Sequence, residues 1–129
     1  AYSNTKLVEY RLAIDIARRQ IMPAIIDQLN DLGRAFEHGK VVKLNAVAIQ
    51  NDFRALEELY STIQTKVEYL SKFVTASEQQ EDPYKKAHAI STKGADLLQS
   101  LRDDVDAAEK RVADDYWPLP TYDQLLLSF

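Results

Sequence analysis

The sequence predicts an all-α protein, an elongated antiparallel bundle of three helices. Only three glycines occur in 129 residues, whereas good helix formers such as Ala, Leu, Glu and Lys are abundant. Apolar residues recur at steps of three and four over most of the chain, which is the spacing of one face of a helix. The polar connections between these stretches are short, and short connections join antiparallel neighbours.

The first helix is predicted from a stripe of apolar residues at helical spacing. Pro23 lies inside this helix, and because proline lacks a backbone N–H it should kink or locally unwind it. Gly39 is the predicted end of the helix. The stripe comprises Leu7, Tyr10, Ile14, Ala17, Ile21, Ile25, Leu29, Leu32 and Phe36.

Two further helices follow. Asn45 is the predicted N-cap of the second helix, whose stripe alternates steps of four and three. The polar stretch 77–81 forms the next turn, and Asp82 is the predicted N-cap of the third helix with Pro83 at its first position. The second stripe comprises Ile49, Phe53, Leu56, Tyr60, Ile63, Val67, Leu70 and Val74, and the third comprises Ile90, Gly94, Leu97, Leu101, Val105, Ala108 and Val112.

A Trp-Pro-Leu-Pro tail closes the sequence. Pro118 disfavours the α conformation in the residue before it, so Trp117 should end the third helix. Thr121 is placed to cap a short final helical turn, with Gln124 completing a capping box. The tail is too apolar to lie in water, and we expect it to close the end of its own bundle, the alternative being an anchor on a partner surface. The predicted structural anchor consists of Trp117, Pro118, Pro120, Thr121, Tyr122 and Leu125.

Composition limits the classes of function. The formal charge is -4 with the two signs interspersed, whereas nucleic-acid binding requires clustered basic residues. There is no cysteine, so a disulfide framework, a thiol nucleophile and a zinc ribbon are excluded. No apolar run approaches the roughly twenty residues of a membrane span, and the start lacks the features of a signal peptide. We predict a single cytoplasmic domain over residues 1–129 that binds neither nucleic acid nor membrane.

Candidate chemistry is sparse. His38 and His88 lack a glutamate three residues before them, which di-iron bundles require, and both are predicted to be solvated. The acidic run 103–106 lacks the third carboxylate of an Asp-Asp-x-x-Asp metal motif because position 107 is alanine, so we expect a solvated helix face. The tyrosines on the stripes, Tyr10 and Tyr60, should lie in the core with hydroxyls that reach its rim. We predict no catalytic, cofactor-binding or metal-binding residue.

Two segments resemble one enzyme family. Residues 9–24 run into Met22-Pro23-Ala24 and are similar to the segment that follows the catalytic domain of the type III glutamine synthetases, where an Ile/Leu-Pro-Ala step occurs. Residues 112–122 contain Trp117-Pro118-Leu119-Pro120-Thr121-Tyr122 and resemble the Trp-Pro-x-Pro-Thr-Tyr element that closes that family's chains. The final residues 125–129 depart slightly from the family's Leu-Leu-Phe ending.

The resemblance implies that this chain is the C-terminal helical domain of a ligase that joins ammonia to glutamate through a γ-glutamyl phosphate. It implies that ATP and a divalent metal, Mg or Mn, are held by a preceding catalytic domain, and that this chain itself binds no cofactor. Members of the family assemble as two stacked hexameric rings, so the implied partners are the catalytic domain of the same chain and neighbouring subunits of a homo-oligomer. The alternatives are a stand-alone interaction module that binds a partner helix in a groove and, third, a small carboxylate-bridged metal enzyme.

Overall fold

The computed structural model describes residues 2–120, which form helices joined by short turns. Two π-helical turns, Ala17–Ile21 and Ile90–Gly94, join consecutive α-helices without a break, so this part of the chain contains three long helices and no strand. The α-helices are α1 (Tyr2–Ile16), α2 (Met22–Val41), α3 (Val47–Gln79), α4 (Pro83–Ala89) and α5 (Ala95–Glu109). The first long helix comprises residues 2–41, the second is α3, and the third comprises residues 83–109. The predicted all-α fold of three helices is confirmed.

Contacts with α3 fix the direction of the first long helix. Arg11, near the start of the chain, pairs with Glu78 at the end of α3. Gly33, near the end of the first long helix, lies against the ring of Phe53 near the start of α3. The first long helix and α3 therefore run antiparallel.

The third long helix is antiparallel to α3 as well. Lys66 Nζ lies 2.7 Å from Asp104 Oδ2, and Arg111 Nη1 lies 3.7 Å from Asp52 Oδ1, so increasing residue numbers in one helix match decreasing numbers in the other. It follows that the first and third long helices run parallel to each other, both packed on α3.

The core is built mainly from the three predicted stripes. None of their members is exposed, and the side chains of Ile25, Leu56, Ile63, Leu70 and Ile90 have no measurable exposure. Helical spacing of apolar residues therefore identified the buried face of each long helix. Leu98, which was outside the predicted third stripe, is also buried.

The three long helices meet at a cluster that we call the Gly94 junction, formed by Tyr10, Phe73, Ile90 and Gly94. The Tyr10 hydroxyl donates a hydrogen bond to the backbone carbonyl of Ile90 at 2.8 Å, and the rings of Tyr10 and Phe73 are tilted by 56° with centroids 6.4 Å apart. A Cβ atom on Gly94 would lie 2.7 Å from Phe73 Cε1 and 2.8 Å from Tyr10 Cε2. Glycine is therefore required for this packing.

The prediction that the Tyr10 hydroxyl reaches the rim is wrong. Tyr10 is 2 % exposed, and its hydroxyl finds its partner inside the bundle rather than in solvent. A buried phenol needs such a partner because an unsatisfied hydroxyl in the core is costly. Burial also raises the pKa of the Tyr10 phenol above its ordinary value.

The first π-helical turn lies immediately before Pro23. Its final hydrogen bond runs from the Met22 N–H to the Ala17 carbonyl, five residues back. Pro23 has no N–H to donate to the carbonyl of Arg19, so the α-helical hydrogen-bond ladder is interrupted at this place. The departure from α geometry thus lies in the turn that precedes the proline.

The predicted end of the first long helix at Gly39 is wrong, because α2 continues for two more residues. The helix ends in a Schellman motif, in which the Leu44 N–H donates to the Gly39 carbonyl at 2.8 Å and the Lys43 N–H donates to the Lys40 carbonyl at 3.0 Å. Lys43 takes the left-handed position of this motif with φ 61°. Gly39 instead allows a close approach, since a Cβ there would lie 3.2 Å from the Cβ of Ala46.

The ends of the second helix also differ from the prediction. α3 begins at Val47 with Ala46 as N-cap, so Asn45 is not the cap; its backbone carbonyl accepts from the Val47 N–H at 2.6 Å. The stretch 77–81 is not wholly a turn, since α3 continues to Gln79. Ser77 is buried three residues after Val74, which shows that the packed face of α3 persists into this polar stretch.

The predicted start of the third long helix is confirmed. Asp82 Oδ1 accepts hydrogen bonds from the backbone N–H groups of Tyr84 at 2.9 Å and Lys85 at 3.2 Å, and Pro83 is the first helical residue. These bonds satisfy two N–H groups that lack partners within the helix.

We predict that Gly94→Ala lowers the free energy of unfolding by about 1–3 kcal/mol, because the added methyl group overpacks the Gly94 junction. The measurement is urea unfolding followed by circular dichroism. The matched control is Gly33→Ala, where the new Cβ would meet Phe53 at 3.7 Å, an ordinary contact distance. This control should raise stability by up to about 1 kcal/mol through helix propensity, and equal effects of the two substitutions would contradict the packing role of Gly94.

Candidate interaction site

The chain leaves the third long helix at Glu109 and turns toward the first long helix. We call residues 110–120 the C-terminal segment. The Ala113 N–H donates to the side-chain oxygen of Gln28 at 2.9 Å, a bond that spans 85 residues. Because the third long helix ends at Glu109, the predicted helix end at Trp117 is wrong by eight residues. The proline sets only the latest possible end, and contacts with the first long helix end it earlier.

A second polar contact holds the C-terminal segment. The Tyr116 hydroxyl donates to Asp31 Oδ2 at 2.6 Å, and Arg34 binds the other oxygen of this carboxylate. The bond from Tyr116, followed by that from Arg34, lowers the pKa of the Asp31 carboxyl. The same bond to the Asp31 carboxylate raises the pKa of the Tyr116 phenol.

Trp117 is the buried member of the predicted anchor. It is 8 % exposed and belongs to the hydrophobic core, together with Val112 of the same segment, while Leu119 packs against the core and is half-buried. Pro118 and Pro120 are exposed. The other three predicted anchor residues, Thr121, Tyr122 and Leu125, lie outside the described part of the chain, as does the predicted final helical turn.

The turn between α2 and α3 presents apolar side chains to solvent. We call Val41, Val42, Leu44 and Val47 the turn patch; their exposed fractions are 78 %, 63 %, 66 % and 45 %. In a Schellman motif the apolar residue at the position of Leu44 usually packs on the side chain five residues earlier, but here that residue is Gly39. Leu44 therefore has no side chain to cover it at the usual place. Clustered exposed apolar residues are typical of interaction surfaces.

A second apolar surface is the α1–α5 groove, a cleft of about 560 Å³ between the first and third long helices. Leu12 on its wall is 58 % exposed. The apolar residues that line the groove include Leu12, Ile16, Ile21, Leu98, Val105 and Leu119.

The residues that could carry metal or acid–base chemistry are dispersed. His38 and His88 are exposed and lie on different long helices. Within the acidic run 103–106, Asp104 is not solvated as predicted but pairs with Lys66 of α3 at 2.7 Å. Nowhere in residues 2–120 do three His, Cys, Asp or Glu side chains converge as a metal site would need.

No protein-family model matches this chain, and no curated protein matches it. Among the helices of residues 2–120, none is both long enough and apolar enough to cross a membrane. The packing of the C-terminal segment and the two exposed apolar surfaces are therefore the features from which a function can be argued.

We predict that Trp117→Ala lowers the free energy of unfolding by about 3 kcal/mol, because it removes a large buried side chain from the core. Chemical denaturation of the full chain measures this change. The neighbouring exposed Pro118 supplies the control, since Pro118→Ala should change stability far less. Comparable losses for the two variants would contradict a specific anchoring role of the indole.

The Tyr116–Asp31 bond predicts a pH dependence. Folding lowers the pKa of Asp31, so the stabilisation is present above the unfolded pKa of about 3.9 and is lost as the pH falls through the folded pKa. Folding raises the pKa of Tyr116, so the stabilisation is present below the unfolded pKa of about 10 and is lost as the pH rises through the folded pKa.

The difference in stability between the native chain and Tyr116→Phe should therefore be largest at neutral pH and shrink at both extremes. Thermal unfolding as a function of pH measures it. Tyr84→Phe is the control, because Tyr84 is 88 % exposed. A stability difference for Tyr116→Phe that does not vary with pH would refute the assignment of the bond.

Proposed function

We propose that this chain is the non-catalytic C-terminal structural and assembly domain of a type III glutamine synthetase, and that it works in the cytoplasm. The parent reaction is the ATP-dependent ligation of ammonia to glutamate, with ATP and the divalent metal bound by the preceding catalytic domain. The similarity of residues 9–24 and 112–122 to that family supports this identity. Met22 and Trp117, one from each of these segments, both belong to the core.

The observation that carries the assembly role is the turn patch. Its four apolar side chains lie at one end of the bundle and are at least 45 % exposed. Covering them with another protein surface would remove apolar area from water, which is the main driving force for stable association. In this proposal the turn patch contacts the catalytic domain of the same chain or a neighbouring subunit.

The proposal includes a bend of the first long helix near Pro23. The π-helical turn Ala17–Ile21 supports it, since π-helical turns and prolines are the usual causes of helix bends. A bend would direct α2 and the turn patch away from the axis of α1. The orientation of the turn patch would then depend on the π-helical turn Ala17–Ile21.

A second candidate is a stand-alone interaction module that binds a partner helix. The α1–α5 groove favours it, because an apolar cleft between two helices is a common receptor for an amphipathic helix. The two proposals differ in the size of the native polypeptide and in the surface that is covered.

The deciding experiment isolates the native polypeptide that carries this sequence and measures its mass and its activity. We expect a subunit several times larger than 14.7 kDa that forms glutamine from glutamate, ammonia and ATP. A native mass near 14.7 kDa would refute the ligase proposal and leave the stand-alone module.

The role of the turn patch is tested in the same native protein by Leu44→Glu, which places a charge in the proposed interface. We expect loss of the assembled oligomer by analytical ultracentrifugation. Val8→Glu is the matched control, because Val8 is 59 % exposed and lies outside the turn patch. Unchanged assembly with Leu44→Glu would refute this surface while leaving the identity of the ligase untouched.

A further inference from the structure

We propose that the helical hairpin of residues 30–55 pairs with the same hairpin of a second copy of this chain, forming an antiparallel four-helix bundle around a two-fold axis. This inference rests on the part of the proposed function that makes the turn patch an interface, and it names the partner. It does not depend on the ligase identity.

The hairpin extends beyond the three-helix part of the bundle. Arg111, just past the end of the third long helix, lies beside Asp52, so α3 continues past that level together with the end of α2. Leu29 and Leu56 are buried, whereas each residue from 30 to 55 is at least partly exposed. Two helices alone cannot enclose the apolar stripes between them, and this part of the bundle therefore lacks a covering layer.

The apolar stripes continue into the hairpin without being enclosed. Leu32 and Phe53 are half-buried and still pack against the core. Phe36 and Ile49, each one helical turn nearer the tip, are also half-buried. The exposed turn patch follows at the tip itself. Incompletely covered apolar surface therefore runs from the base of the hairpin to its turn.

One face of the hairpin is a cleft of about 640 Å³ between α2 and α3, which we call the hairpin cleft. Glu37 and Gln50 are among the residues that line it. Val41 follows Glu37 by four residues and Val47 precedes Gln50 by three, so both valines lie on the side of their helix that faces the cleft. Two members of the turn patch thus extend the hairpin cleft to the tip.

The size of this face fits an equilibrium between monomer and dimer. Residues 30–41 of α2 span about 18 Å, and two adjacent helices are about 20 Å wide. A face of these dimensions is at the low end of specific interfaces, so we expect a dimer that dissociates on dilution.

The distribution of charge along the hairpin selects a second copy as the partner. The tip carries Lys40 and Lys43, and residues 38–51 contain no acidic side chain. The base carries Glu57, which is exposed and lines the hairpin cleft. When two hairpins pair antiparallel, the tip of each lies at the base of the other, and the contact between Lys43 and Glu57 occurs at both ends. A parallel pairing would bring the lysines of the two tips together.

The pairing of α2 with α3 fixes the level of Glu57 within one hairpin. Gly33 lies against the ring of Phe53. Because the two helices are antiparallel, Leu29, four residues before Gly33, is level with Glu57, four residues after Phe53. Both Leu29 and Glu57 line the hairpin cleft, as this register requires.

This level determines the position of the two-fold axis. A contact between Lys43 of one copy and Glu57 of the other places the axis midway between their levels, at Phe36. The Phe36 side chains of the two copies then meet near the axis, where an interface is best shielded from water. Glu37 of each copy is about level with Arg34 of the other, so a second pair of opposite charges favours the same register.

The test is sedimentation velocity of the full 129-residue chain over a range of concentrations, where we expect a monomer–dimer equilibrium. Lys43→Glu should weaken dimerisation about tenfold or more, because both symmetric contacts with Glu57 become repulsive. Glu57→Lys should have the same effect for the same reason. The double variant Lys43→Glu/Glu57→Lys should regain the dissociation constant of the native chain, because each contact is reversed in sign.

The matched control is Lys72→Glu. Lys72 is exposed on α3 outside the hairpin, and its substitution changes the net charge by the same amount as Lys43→Glu. The control should leave the dissociation constant unchanged.

Three outcomes would overturn the proposal. The first is a chain that stays monomeric up to millimolar concentration. The second is a dimer that Lys43→Glu and Lys72→Glu weaken equally, since the contact would then lie elsewhere. The third is a double variant that dimerises no better than its parent single variants. None of these results touches the ligase identity, which the mass and activity of the native polypeptide decide separately.

Discussion

The close approach of three helices at the Gly94 junction is the constraint on which the rest of the bundle depends. Each long helix contributes to it, with Tyr10 from the first, Phe73 from the second and Gly94 from the third. The absence of a Cβ at one position lets two aromatic rings lie against the backbone of a π-helical turn. Because the Tyr10 hydroxyl also binds the Ile90 carbonyl, the contact fixes the register of the parallel pair of helices as well as their separation.

The exposed ion pairs between helices follow from this register and do not create it. Arg11–Glu78 and Arg111–Asp52 involve side chains that are largely exposed, and pairs of this kind contribute at most about 1 kcal/mol. At the other end of the bundle, Trp117 supplies the buried area, while the bonds to Gln28 and Asp31 select its position. Apolar packing thus provides most of the stability, and polar bonds determine the path of the chain.

The sequence was sufficient to predict what depends on local periodicity and local capping. The apolar stripes identified the buried faces, and Asp82 followed by Pro83 marked a helix start, because both signals act within a few residues. The prediction failed where a distant residue decides the outcome. Gly39 was predicted as a stop, yet the helix continues past it and its missing side chain allows the close approach of Ala46 across the turn. The third long helix ends at Glu109, before the segment that contacts the first long helix.

In the candidate site, too, the features with a local sequence signal could be predicted and those that depend on distant residues could not. Trp117 could be identified from its apolar character, whereas the Tyr116–Asp31 bond joins residues 85 positions apart and leaves no local signal.

The parallel pairing of the first and third long helices has a kinetic consequence. Each neighbouring helix pair can form as a local hairpin around α3, but the contacts at Tyr10 and Tyr116 close loops of 80 or more residues. We therefore expect closure of this pair to be the last event in folding, and the same pair to separate first when the native state opens transiently, which hydrogen exchange of its amides would measure.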